Sequence, residues 1–243
     1  MALPKLDLPT YELTLPSNQK KIRFRPFLVK EEKILLMAME SNKESDVMTA
    51  VKQIINNCSL DTIEVDDIPL FDIEFFFLNL RARSISETIE AKFKCNNTIE
   101  NDKECGHVLE TQVNLLEIKM EKSATHTNKI SLSKDVGVVL KYPKMSIMES
   151  LKGENPKNAV SLTFDFIIDS IDFIYDKDNV YHTKETPRAE LLSFIESMSA
   201  DQFKKIEVFF DTIPKLKKEI EKKCDKCGFE HKIVMEGLQS FFG

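Results

Sequence analysis

Five cysteines, placed as two turns and a remainder, constrain this chain more than any other feature. Cys224-Asp-Lys-Cys227-Gly228 is a CxxC turn; Cys95 and Cys105 form a wider pair, and Cys105 is also followed by a glycine, Gly106. Each pair lies between runs that alternate apolar with polar: Ile85–Phe93 and Val108–Leu115 around the first, Glu219–Lys222 and His231–Met235 around the second. Such alternation marks strands with one buried face, so a strand, cysteine loop, strand unit occurs twice. Glycine after the second cysteine lets the chain turn back at positive φ without a Cβ clash. Cys58 is left over and follows a helical apolar face, where burial accounts for a small thiol.

Two such turns supply four thiolates, the donor set of a closed tetrahedral zinc site. Cys95, Cys105, Cys224 and Cys227 are therefore read as metal ligands, the polar insert Asn96–Glu104 enlarging the first turn at small entropic cost. Halves this far apart in sequence make a split zinc ribbon, two β-hairpins meeting at the metal. The competing reading is a degenerate ribbon that has lost its metal, with Cys95 and Cys105 as ordinary small residues. A thioredoxin-type redox pair fits less well, because its CxxC opens a helix and here Gly228 and a strand follow. His107 and His231 sit close enough to replace a ligand, but a solvent-facing or thiolate-supporting position suits each better. Four thiolates leave no position for an activated water, so the metal would stabilise the fold and not catalyse.

The remainder of the chain divides by period. Tyr11–Leu15 and Ile22–Arg25 alternate across the turn-forming Pro16-Ser-Asn-Gln19, which predicts a hairpin. Helical stripes follow: Ile34, Leu35, Ala38 and Met39, then Val47, Ala50, Val51, Ile54 and Ile55, then a third, well-buried helix over Leu70–Ala82 with Phe75-Phe-Phe-Leu78. Lys129–Lys141 predicts one or two short strands around Gly137. Residues 144–213 return to helical period, with a short helix over Ser146–Leu151 and longer ones over Ala159–Tyr175, Arg188–Met198 and Asp201–Ile213; Asp176–Pro187 reads as an exposed connection. The fold class is α+β: an N-terminal β-hairpin with helices (1–84), a β region with the first half of the ribbon (85–142), an inserted helical block (143–213), and the second half of the ribbon with an apolar tail (214–243).

Composition excludes several functions. Only six glycines occur in 243 residues, none grouped as a phosphate loop or dinucleotide fingerprint requires. A formal charge of −6 argues against sequence-independent nucleic-acid binding, which relies on excess Lys and Arg. The odd cysteine count, with no secretory segment and no apolar run near the ~18 residues of a membrane span, points to a soluble protein of a reducing compartment. No HExxH or GxSxG is present, and neither His126 nor His182 has a readable partner, so no enzyme is expected. Asp66-Asp67 and Glu31-Glu32 open helices, where the dipole explains them. Arg81 and Arg83, at the end of the third helix, suit a carboxylate of the fold or of a partner. Phe241 and Phe242 at the C-terminus suit docking, either in this chain's own core or in a neighbour's groove.

Longer blocks carry more information than any single turn. Leu15-Pro-Ser-Asn18, Ile22-Arg-Phe-Arg-Pro-Phe27, Lys30-Glu-Glu-Lys-Ile-Leu-Leu-Met-Ala38, Ile54-Ile-Asn-Asn-Cys58 and Leu80-Arg-Ala-Arg-Ser84 resemble the T4-type phage baseplate protein family, as do Leu140-Lys-Tyr-Pro143, Phe209-Phe-Asp-Thr-Ile-Pro-Lys-Leu216 and Glu236-Gly-Leu-Gln-Ser-Phe-Phe242. The resemblance implies a structural component of the baseplate central hub of a contractile-tailed bacteriophage, or a hub-assembly factor not retained in the virion. It implies other baseplate and hub proteins as partners, an oligomer in a symmetric assembly, a place in the virion tail after assembly in the host cytoplasm, and no enzymatic activity. A cytosolic zinc-ribbon adaptor of nucleic-acid enzymes is a third reading, disfavoured by the acidic charge.

Overall fold

The computed structural model describes residues 6–99, 103–145 and 159–241. The chain forms two compact units, one built from Met1–Val65, Phe71–Glu121 and Lys215–Gly243, the other from Asp66–Leu70 and Lys122–Pro214. The class is α+β, with small antiparallel sheets and six α-helices among the described residues.

In the first unit, β1 (Tyr11–Thr14) and β2 (Lys21–Phe24) form the expected hairpin, with Leu13 opposite Ile22. Three helices follow: α1 (Val29–Glu40), α2 (Glu44–Cys58) and α3 (Leu70–Ser84). The apolar stripe of α2 is buried as its period requires, through Ala50, Val51, Ile54, Ile55 and Cys58. Phe24 of the hairpin meets Phe76 of α3 at 5.4 Å between ring centroids, and Ile22, Ile73, Phe76 and Phe77 are fully buried. Burial of a Phe or Ile side chain is worth about 1.5–3 kcal/mol, so this contact between hairpin and α3 is a main source of stability. Asp72 is also buried here and receives both the backbone N–H and the hydroxyl of Ser17, fastening the hairpin turn to the start of α3.

Beyond α3, β3 (Thr88–Lys94) pairs with β6 (Val108–Asn114), and the insert between them carries a two-residue ribbon of its own, β4 (Thr98–Ile99) with β5 (Lys103–Glu104). The strand begins later than the alternation suggested, leaving Ile85 half exposed before it. A three-stranded sheet is ordered β13–β12–β7, from β7 (Lys119–Glu121), β12 (Lys215–Lys223) and β13 (Glu230–Glu236). Because Lys215 pairs with Glu121, the second unit's main segment leaves and re-enters the first at adjacent strands.

In the second unit, a four-stranded sheet is ordered β11–β10–β9–β8, from β8 (Lys129–Ser131), β9 (Gly137–Leu140), β10 (Ile171–Tyr175) and β11 (Val180–His182), with helices α4 (Ala159–Ser170), α5 (Arg188–Glu196) and α6 (Ala200–Asp211). Its core joins Val138, Leu140, Ile167, Ile168, Ile171, Leu191, Ile195, Ile206 and Phe209. Two expectations are corrected. The helix expected over Ala159–Tyr175 stops at Ser170, and Ile171–Tyr175 is a strand between β9 and β11. The expected connection Asp176–Pro187 contains the exposed strand β11. There the Asp176 carboxylate receives the backbone N–H groups of Asp178 and Asn179, each at 2.8 Å, which folds the chain into a hairpin turn. The helix expected over Ser146–Leu151 lies outside the described residues.

Candidate metal centre

The two cysteine turns are closed by the same pair of backbone bonds. In the first, Cys95 N–H donates to the His107 carbonyl (2.7 Å) and Gly106 N–H to that of Cys95 (3.0 Å); in the second, Cys224 N–H donates to Phe229 and Gly228 N–H to Cys224, both at 2.8 Å. The glycines take φ of +64° and +74°, as their positions require. The polar insert changes little: Cys105 N–H bonds the Asn97 carbonyl at 2.8 Å, so the β4–β5 ribbon projects from a knuckle that is otherwise compact.

The turns bring together the four cysteines that the sequence singled out. All four Sγ atoms lie within 4.8 Å of one another; Cys95 and Cys227 are 3.6 Å apart and Cys105 and Cys224 3.9 Å, across 132 and 119 positions of sequence. Every cysteine is a free thiol. A tetrahedron with metal–sulfur bonds of about 2.3 Å has sulfur–sulfur edges of about 3.8 Å, and the two close pairs bracket that value. The donor set therefore fits one tetrahedral metal ion. Cys95, Cys105 and Cys224 are buried and Cys227 is half-buried, so the group is closed on all sides but one.

Polar groups around the cluster are arranged for thiolates. Asn97 N–H points at Cys95 Sγ and Phe229 N–H at Cys227 Sγ, each from two residues past the cysteine. The Asn97 side chain donates to Cys227 Sγ at 3.6 Å, and His231 Nε2 lies 3.1 Å from Cys95 Sγ. The Phe229 amide, then Asn97 and the neighbouring thiols, outweigh burial and bring the Cys227 thiol down to about 6. Burial, with the adjacent thiols, pushes Cys95 up to about 12. His231 lies beside a cysteine sulfur rather than in a ligand position, one of the two placements expected for it. Asn97 was missed; its only signal was its place two residues beyond Cys95.

Of the other candidate residues, Arg83 and Phe241 make contacts within the chain. Arg83 pairs with Glu87 at 2.5 Å and lies over the Tyr11 ring at 5.0 Å, so its partner is in the fold. Arg81 is half-buried in the last turn of α3. Phe241 is 1% exposed, its ring packed within this chain. The short helix Leu238–Phe241 is held further by Leu238 N–H on the Glu74 carboxylate. Phe242 lies outside the described residues. No helix among these residues is long and apolar enough to cross a membrane.

Two hairpins, β3–β6 and β12–β13, meet at four converging thiols within an α+β scaffold whose one cluster of metal-ligating side chains among the described residues has a structural donor set. The chain belongs to the T4 bacteriophage base plate protein family, whose model matches residues 8–243. No curated protein and no solved structure matches it. Membership gives it a structural role in the tail baseplate, with other phage baseplate proteins as partners.

Proposed function

We propose that the chain is a structural subunit of the baseplate central hub of a contractile-tailed phage, that it acts by protein–protein assembly without enzymatic activity, and that Cys95, Cys105, Cys224 and Cys227 hold a zinc ion. The observation that carries the reading is the convergence of four thiols from hairpins more than a hundred residues apart, at spacings of 3.6 and 3.9 Å suited to one tetrahedral ion. When bound, zinc would fix the relative position of two small hairpins that have little apolar core of their own. The chain's own residues do the rest: two backbone amides, Asn97 and His231 orient and partly neutralise the thiolates. Sulfur ligands on all four corners leave the ion without an open position for chemistry.

Assembly in the host cytoplasm followed by retention in the virion is the sequence of events this role requires. Quantitative mass spectrometry of purified virions tests it: the chain is expected at a fixed stoichiometry to other tail proteins. Its absence from intact tails, with presence in lysates making baseplates, would replace the subunit reading by that of an assembly factor.

A further inference from the structure

Helix α1 buries one face and leaves an apolar one uncovered. Glu31, Leu35 and Ala38 point inward, whereas Val29, Leu36 and Met37 are 80, 55 and 61% exposed. Large apolar side chains clustered on one helix face mark an interaction surface more often than a free one. The same face carries two exposed charges, Lys33 and Glu40, and among the described residues neither has an ion-pair partner.

We propose that this face is a self-association surface, on which a second copy of the chain lays its own α1 antiparallel across a two-fold axis passing between Leu36 and Met37. The helix is self-complementary about that point. Lys33 and Glu40 are seven residues apart, so they fall within about 20° of one another around the helix. Each is also three and a half residues from the proposed axis. Rotation about it sets Lys33 of one copy opposite Glu40 of the other, twice, and Leu36 against Met37 at the centre. A parallel pairing would instead set lysine on lysine and glutamate on glutamate. Opposed helix dipoles favour the antiparallel arrangement as well, and an isologous contact of this kind closes at two copies. Methionines at the centre suit a contact that must adapt its packing. One helix pair lies at the low end of interface size, so the dimer is weak and concentration-dependent.

Sedimentation equilibrium of the full chain tests this, with charge reversal as the discriminating variable. Wild type is expected to dimerise with rising concentration. Lys33→Glu and Glu40→Lys alone should each weaken the dimer roughly tenfold, because each places like charges opposite one another at two symmetric points. The double variant carrying both should recover the wild-type constant to within about threefold, and Leu36→Asp should abolish dimerisation. These side chains are exposed, so far-ultraviolet dichroism, and the melting temperature at concentrations where wild type is monomeric, should stay unchanged in every variant. A chain monomeric at all concentrations overturns the proposal and leaves the face to a different baseplate protein. Single reversals without effect, or a double reversal that fails to restore association, overturn it equally. The result is independent of zinc and of the chain's retention in the virion.

Discussion

The half-buried Arg25 and the fully buried Glu31 form an ion pair, guanidinium to carboxylate at 3.1 Å, where the hairpin meets helices α1 and α2. Arg25 Nη2 also donates to the Asn57 carbonyl (2.9 Å), Nη1 to that of Pro26 (2.9 Å) and to Cys58 Sγ (3.5 Å), and its backbone N–H to the Cys58 carbonyl (3.0 Å). The second oxygen of Glu31 accepts the Leu28 N–H at 2.8 Å, closing the first turn of α1. One arginine thus ties the end of β2 to the start of one helix and the end of another. Burial, which also pushes the Cys58 thiol up to about 11, would raise the Glu31 carboxyl; Arg25, the Leu28 amide and Lys30 outweigh it and hold the carboxyl below its usual range.

Removing the buried carboxylate leaves the half-buried Arg25 charge and the Leu28 N–H without their partner. Glu31→Ala is therefore expected to lose about 1–3 kcal/mol of unfolding free energy, and Glu31→Gln less, since it keeps an acceptor for the Leu28 N–H. The folded-state pKa of Glu31 is depressed, so its contribution is fully present above the unfolded value near 4.3 and is lost as pH falls through the folded value. Urea melts of wild type and Glu31→Gln should consequently converge as pH is lowered below about 4. A constant difference across that range would show that the carboxylate charge is not what stabilises the junction.

For the metal centre, the prediction is one zinc per chain by elemental analysis of purified protein. Cys105→Ser and Cys224→Ser should each lose stoichiometric metal and melt at lower temperature, because the hairpins are then joined by little else. Cys58→Ser should keep its metal. Protein with no stoichiometric zinc, in which Cys224→Ser melts as wild type does, would remove the centre.

At the C-terminus, Leu238 and Phe241 are 6% and 1% exposed, and Leu238 N–H is a partner of the half-buried Glu74 carboxylate. Phe241→Ala is expected to destabilise by about 3–5 kcal/mol through the cavity it opens. Removing residues 238–243 should cost at least as much, since it also takes the amide from Glu74. Chemical denaturation measures both; a truncated chain as stable as the whole would place the tail outside the core.

What could be read from sequence follows the range over which each interaction acts. The hairpin, the α2 stripe and the cysteine turns are local patterns whose periods or spacings dictate their geometry, so all appear where they were expected. The start of β10 was not legible. Ile167, Ile168, Ile171 and Ile174 satisfy one helical period, but Ile167 and Ile168 bury from α4 whereas Ile171 and Ile174 bury from a strand paired with β9. Pairing partners outside the segment made that choice. The Arg25 junction stayed hidden for the same reason, since its acceptors at 31, 57 and 58 share no pattern with it. At the metal centre the four ligands were legible and Asn97 was not, because its role depends on a partner across the fold, Cys227.

The β8–β9–β10 sheet makes a test of backbone packing in the second unit. Gly137 opens β9 between Ser131 of β8 and Tyr175 of β10. A Cβ there would collide with the Tyr175 phenol and would stand 2.6 Å from the Ile130 carbonyl. The first obstacle is the end of a side chain and can swing away; the second is backbone held by pairing to Val138. Gly137→Ala is therefore expected to destabilise the second unit by about 1–3 kcal/mol, and adding Tyr175→Ala should not restore what was lost. Urea denaturation with a double-mutant cycle measures both terms. Full rescue by Tyr175→Ala would show that the ring alone, and not the approach of β8, requires glycine at this position.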